Sequence, residues 1–435
     1  FAIPHCQLPI AHCPLPIAHG AAYEMLLRKF IARRLAEYYA QPSHAVVGSI
    51  PPQTSFPFPS LLGAWHWRWL YSMTYERQNG QWLTPVELFK PFYSYTLASF
   101  IAEASASAPS SSSACPPGLH VVELGGGRGT NAALILSRLR SDYPALYEKI
   151  TYTIFDASPT LHELQKQELH AHGHVDDKVE FVLRDMTDVA EGVGDFLSSS
   201  PDLRPTIVIA CELLDNLAHD KVTRCRRTRA LQQAEVIENA SSVEGTECRE
   251  VFEPLTDPLL AELIEDAPSF VSGTGRRPIW IPTVACGVIR RLYEERPNAS
   301  MILADFDWLP ALDLEERSIV RRASVLADGE PIITDMDDVD HVCYATAPRR
   351  CDILFPTDYL RLADYVRKRA KGRAQVRVTK QADFLLEYGR DHVDATRGWI
   401  GGFTPLLEDF SNYSILAATA MEEGDDGGPK KVLRR

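Results

Sequence analysis

Nowhere in the 435 residues does an apolar run reach the roughly 18 positions that a bilayer-spanning helix requires, so no membrane span is expected. Nine cysteines are present, yet none stand in C-x-x-C spacing. That absence removes a zinc site and a disulfide framework together and points to a reducing compartment. Basic residues are in short supply: 45 Lys and Arg face 58 Asp and Glu, a formal net charge of -13. A chain so acidic is expected to have no nucleic-acid partner, and its one basic cluster, Arg224 to Arg229, reads as a solvated loop. A starting Met is also missing, which reads as a fragment or a processed form. What remains is an ordinary globular composition, long enough for one large or two ordinary domains.

The most informative stretch is Leu119-His-Val-Val-Glu-Leu-Gly-Gly-Gly-Arg-Gly-Thr-Asn131. An apolar run ends in four glycines within five positions and passes into a helix-forming pattern, which reads as strand, tight loop and helix. Gly125, Gly127 and Gly129 let the backbone turn sharply and, lacking a Cβ, let a ligand lie against the main chain. A dinucleotide fingerprint wants G-x-G-x-x-G; here the third glycine comes one residue too early, which weakens a pyrophosphate reading. Glu123, two positions before Gly125, would repel a pyrophosphate but attract a sulfonium or ammonium group. S-adenosylmethionine carries both groups, and the pattern resembles the first motif of the class I methyltransferases.

From residue 119 onward, strands and helices alternate in a β-α-β-α-β rhythm, which predicts an α/β, Rossmann-like parallel sheet with helices on both faces. Ligands in such sheets sit beyond the carboxyl ends of the strands, so the strand ends are where functional side chains belong. The second strand ends at Asp156, placed to accept both ribose hydroxyls of a donor. The third ends at Asp185, which can accept from an adenine amino group or cap a helix, with Met186 packing on the ring. The fourth, Thr206 to Cys211, runs into Glu212 and Asp215. Three apart, these two acids would share a helical face if a helix begins there, and could clamp a guanidinium in line with a methyl group.

The flanking chain is organised around this core. Residues 1–20 carry a near-repeat, Leu8-Pro-Ile-Ala-His-Cys13 and Leu15-Pro-Ile-Ala-His19, and are expected to be disordered. An N-terminal helical region spans 21–103. It opens with an amphipathic helix at Tyr23 to Tyr39 and includes the aromatic run Trp65, Trp67, Trp69 and Tyr71, expected to pack inside. Thr84, Pro85 and Glu87 form a capping box for a helix running to about Ala104. A flexible connection covers 104–118, and the core spans 119–420 with an insertion at about 225–298 that starts as a hairpin over 230–255. Residues 421–435 are expected to form a loose tail.

Three ordered motifs carry a family resemblance: Glu123 to Thr130, then Phe155-Asp-Ala-Ser-Pro-Thr-Leu-His-Glu-Leu-Gln165, then Ala210-Cys-Glu-Leu-Leu-Asp-Asn-Leu217. Together they resemble the MidA family of mitochondrial methyltransferases, the complex I assembly-factor type. Trp82 to Phe89, Ala304 to Phe306 and Val378 to Gly389 are similar to that family's further segments, in the same order. The resemblance implies S-adenosylmethionine as cofactor, held by Glu123, Gly125, Gly127, Gly129, Asp156, Asp185, Met186 and Thr84. It implies Glu212 and Asp215 as catalytic, and dimethylation of an arginine in a protein substrate, a complex I subunit, in the mitochondrial matrix. The frame departs from the family at Cys211, Leu213-Leu214, Asn216 and Ala218, and again at Phe306-Asp307. Two other readings stand beside it: a non-catalytic assembly or scaffold protein that keeps the fold, and an NAD-dependent oxidoreductase.

Overall fold

A computed structural model describes residues 22–40, 46–50, 56–77, 81–107, 118–174, 178–197, 204–239, 247–272, 277–309, 329–335, 339–341 and 343–421. The expected N-terminal disorder, most of the 104–118 connection and the C-terminal tail lie outside the described residues.

The larger sheet has seven strands, numbered here in chain order: β1 (Leu119–Leu124), β2 (Ile150–Asp156), β3 (Val179–Leu183), β4 (Thr206–Cys211), β5 (Ser300–Phe306), β6 (Ala374–Lys380) and β7 (Tyr413–Ala420). They lie in the order β6-β7-β5-β4-β1-β2-β3. β1 to β5 pair in parallel as the alternation predicts, and β7 runs antiparallel between β5 and β6. After β1 the chain builds β2 and β3 on one side and then returns to place β4 on the other, so the topological switch point falls between β1 and β4.

Alternation along each strand sends side chains to two separate cores. Val121, Ile207, Ile209 and Ile302 meet the helices Phe92–Ser107, Thr130–Asp142 and Gln381–Tyr388 on one face. Val122, Val208, Met301 and Leu303 meet Leu27–Tyr39, Pro258–Asp266, Thr283–Glu295 and Tyr359–Ala370 on the other. Both faces of the sheet are thus buried, which is why its central strands read as near-continuous apolar runs.

The N-terminal region departs from expectation in three places. Ala22–Leu26 is a strand, not a first helical turn, because it pairs antiparallel with Leu231–Asn239 in a second, five-stranded sheet. The expected hairpin is present there, as Leu231–Asn239 against Glu247–Pro254. The helix expected from the Thr84 cap to Ala104 is two helices, Pro85–Leu88 and Phe92–Ser107. Pro91 at the junction has no N–H to continue the ladder. Of the aromatic run, Trp67 is buried and its indole donates to Asp409 at 2.5 Å, whereas Trp65 and Trp69 face solvent.

Helix Leu27–Tyr39 is joined to the second sheet by a buried ion network. The Arg28 guanidinium donates to Asp257 through two bonds, at 2.9 and 2.8 Å, and to Asp220 at 3.0 Å. Asp257 also accepts from Leu260 N as cap of the helix that follows it.

Candidate functional site

Five elements converge at the switch point. The loop after β1 turns through Gly125 (φ +69°), Gly127 (φ +52°) and Gly129 (φ +88°), conformations that favour glycine. A Cβ on Gly129 would stand 2.8 Å from Gln165 Cα, so there the missing side chain allows close packing. A Cβ on Gly127 would meet nothing within 4 Å. The bare backbone at Gly127 therefore faces open space.

That space is a cleft of about 260 Å³, lined by Gly125, Gly127, Asp156, Asp185, Met186, Glu212, Leu213 and Asn216. Its roof is the inner face of helix Leu27–Tyr39, through Ala32, Leu35, Ala36 and Tyr39. The roof is latched to the floor: Tyr39 OH donates to Asn216 Oδ1 at 2.8 Å, and Asn216 Nδ2 donates to Asp352 Oδ1 at 2.8 Å. Asn216 is one of the positions where the sequence leaves the family pattern, and this latch is what it does.

Asp156 ends β2 as expected. Its Oδ1 accepts from Ser158 N at 2.9 Å and its Oδ2 from Gln165 Nε2 at 3.0 Å, which orients both oxygens at the cleft wall. Burial pushes its carboxyl up to about 6 against these hydrogen bonds. Ser158 caps the following helix, as its place before Pro159 predicts. Asp185 caps Met186–Glu191 through Thr187 N at 2.7 Å and lines the cleft as well, so both of its expected roles are geometrically open to it.

A smaller chamber of about 70 Å³ adjoins the cleft, sharing Gly125, Gly127 and Glu212 with it and adding Thr84, Glu87, Glu123, Arg128 and Asn131. Thr84 does cap its short helix, accepting from Glu87 N at 3.3 Å. Glu123 is buried, and its carboxylate already accepts from Asn131 Nδ2 at 2.7 Å and Tyr152 OH at 2.9 Å. Burial raises it to about 7. It is less a bare anion than the sequence suggests. Two oxygens in this chamber, Asn131 Oδ1 and Glu212 Oε1, are buried without a partner, and Arg128, which lines the same chamber, donates to Val47 O at 3.3 Å. An unpaired acceptor such as Asn131 Oδ1, in one chamber with a guanidinium, complements an ammonium and a carboxylate held on one carbon. Sequence reading missed Arg128, Asn131 and Glu87; their only signal was position, inside or just beyond the glycine loop and its cap.

Glu212 and Asp215 do not share a helical face. Glu212 sits in the left-handed region (φ +54°), and only a single 3-10 turn, Leu214–Asn216, follows it. Backbone N–H groups of that turn point at Asp305 at the end of β5, whose Oδ2 accepts from Asp215 N at 3.0 Å. Asp305 thereby holds the strained residue in place. Glu212 lines both the cleft and the chamber, whereas Asp215 is buried beneath the turn and lines neither. Burial, with the Asp305 charge second, holds the carboxyls of Glu212 and Asp215 well above the usual carboxylate range.

A glycine bend after β1, a carboxylate closing β2, a capping acid after β3 and an acidic turn after β4, all on this strand order, define a class I methyltransferase. The profile of the family described as "Putative S-adenosyl-L-methionine-dependent methyltransferase" matches residues 100–377, and the chain belongs to that family. Its fold and family are those of S-adenosylmethionine-dependent methyltransferases. Two solved structures from Burkholderia thailandensis share its fold. One is a COG1565 superfamily member bound to S-adenosyl-homocysteine, at 16% identity and a TM-score of 0.55, covering 91% of this chain and 88% of that one. The other is a native structure from the same superfamily, at 16% identity and a TM-score of 0.54, covering 91% and 87%. None of the curated proteins matches the chain.

Proposed function

We propose that the chain transfers the methyl group of S-adenosylmethionine to an arginine of a protein substrate, as the MidA-type resemblance implies, in the mitochondrial matrix and in support of complex I assembly. The observation that carries the reading is Glu212: a strained residue whose Oε1 is buried, unpartnered, and placed where the cleft and the chamber meet. The bound donor supplies an electrophilic methyl on a sulfonium. Its adenosine fits the cleft, with Asp156 toward the ribose hydroxyls and Asp185 and Met186 toward the adenine. Its amino-acid end fits the chamber, the ammonium on Asn131 Oδ1 and the carboxylate on Arg128.

Glu212 is then the group that meets an incoming guanidinium. Burial and the nearby Asp305 push its carboxyl toward the neutral form; an arriving cation favours the ionised form, and the pair aligns the nucleophilic nitrogen. A strong base is unnecessary: as the C–N bond forms and sulfur keeps the electron pair of the breaking C–S bond, the nitrogen's proton passes to the Glu212 carboxylate. Asp215 lies in the turn that follows Glu212 and acts on it through that turn. A scaffold role is the second reading, favoured by the burial of Asp215 away from both cavities.

Incubating the protein with labelled S-adenosylmethionine and a mitochondrial extract tests the proposal. Glu212→Gln should lower the transfer rate about a hundredfold at unchanged donor affinity. Label on a residue other than arginine, or equal labelling by wild type and Glu212→Gln, refutes it.

A further inference from the structure

The turn Arg224-Cys-Arg-Arg-Thr-Arg229 joins strand Asp220–Arg224 to strand Leu231–Asn239 in the five-stranded sheet, and methyl transfer makes no use of it. Four of its six residues are arginine, on a chain of net charge -13. Composition alone reads such a run as a solvated loop; its geometry says more.

The turn is held in one shape. Cys225 N donates to Ala230 O at 2.8 Å, Arg229 N to Cys225 O at 2.9 Å and Ala230 N to Thr228 Oγ1 at 3.3 Å, with Arg229 left-handed at φ +64°. Arg224 lies across the turn and donates through Nη1 to Arg229 O at 3.3 Å. Arg226, Arg227 and Arg229 are exposed, and none of the three is ion-paired among the described residues. Arg277 adds a further exposed guanidinium at this end of the sheet, two residues before Ile279, which pairs antiparallel with Val222. Acids stand further back. Asp220 and Asp257 are buried and spent on Arg28, and Glu253 sits opposite Gln233, two rungs or roughly 7 Å behind the Arg224–Leu231 pair. With a Debye length of about 8 Å at physiological ionic strength, the acidic remainder of the chain is largely screened from anything the turn touches.

We infer that this turn docks the protein on an anionic lipid surface. Charge complementarity carries the inference, and the shape of the turn chooses the partner. Its main chain is already paired across the hairpin, so it offers no free edge to a strand. Neither the cleft nor the chamber reaches it, and Arg226 to Arg229 include no apolar side chain to anchor a protein interface. A plane of lipid phosphates needs neither groove nor anchor, only several cations presented together. The inference is independent of which acceptor receives the methyl group.

The test is co-sedimentation of the full chain with vesicles of phosphatidylcholine alone and of phosphatidylcholine with phosphatidylserine in equal parts. Partition should require phosphatidylserine and be lost at ~0.5 M NaCl. Each arginine at such a surface strengthens partition about fivefold, so the double variant Arg226→Gln, Arg227→Gln should weaken it about 25-fold, with Tm and S-adenosylhomocysteine affinity unchanged. Arg229→Gly, which removes one charge and relaxes the left-handed backbone, should weaken it about fivefold. Equal partition onto both kinds of vesicle, or wild-type partition by the double variant, overturns the inference. So does binding to a polyglutamate peptide without partition onto either vesicle, which assigns the turn to an acidic protein instead.

Discussion

Gly127 separates the roles of fold and ligand most cleanly. Its φ of +52° costs an alanine about 1–2 kcal/mol, and since a Cβ there would meet nothing within 4 Å, no packing penalty is added. Gly127→Ala should therefore fold, with Tm lowered by roughly 1–2 °C. If the donor lies against this backbone, the new methyl occupies its contact surface, and an overpacking cost of about 1–3 kcal/mol becomes a roughly 5- to 150-fold loss of affinity. Gly129→Ala is the matched control: its Cβ would strike Gln165 Cα at 2.8 Å and O at 3.2 Å, so it should lose stability and binding together. Thermal unfolding and calorimetry with S-adenosylhomocysteine read both variants. Wild-type affinity in a folded Gly127→Ala would refute the placement of the donor over the loop.

Burial raises the carboxyls of Asp156 to about 6 and of Glu123, Asp305 and Asp352 to about 7. A carboxyl raised on folding gives stability that is present below its unfolded pKa near 4 and lost as pH climbs through 6 to 7, so the empty protein should melt at a lower temperature at pH 8 than at pH 5.5. Differential scanning fluorimetry checks this, and the sulfonium donor should narrow the difference. Arg28→Met removes one partner of a buried ion network and leaves Asp220 and Asp257 facing each other; denaturant unfolding should show a loss of about 3–5 kcal/mol. Asn216→Ala cuts the latch to Tyr39 and should speed S-adenosylhomocysteine release in stopped flow several-fold, with little change in Tm; an unchanged off-rate would mean the roof opens elsewhere.

Much of the core was legible because its signals are local. Apolar runs ending in Asp156, Asp185 and Glu212, and the caps at Ser158 and Thr84, follow from neighbours a few positions away, and each stands where the sequence places it. The failures are long-range. Nothing near Ala22–Leu26 announces that its partner is Leu231–Asn239. Glu212 and Asp215 suggested a helix by spacing, but Asp305, some ninety residues on, binds the turn's N–H groups and leaves Glu212 left-handed. Arg128 and Asn131 joined the site only once a cap segment and a strand end had folded over them.

Helix Leu27–Tyr39 faces two ways: one side closes over the donor cleft while Arg28 is tied into the second sheet. The seven-stranded sheet does not include it, so a chain severed after Tyr39 would retain every strand of that sheet yet leave the sugar and adenine ends of the cleft exposed to water. A distortion of the second sheet would reach the donor by the same route, with a remote strand pairing setting how long S-adenosylmethionine stays.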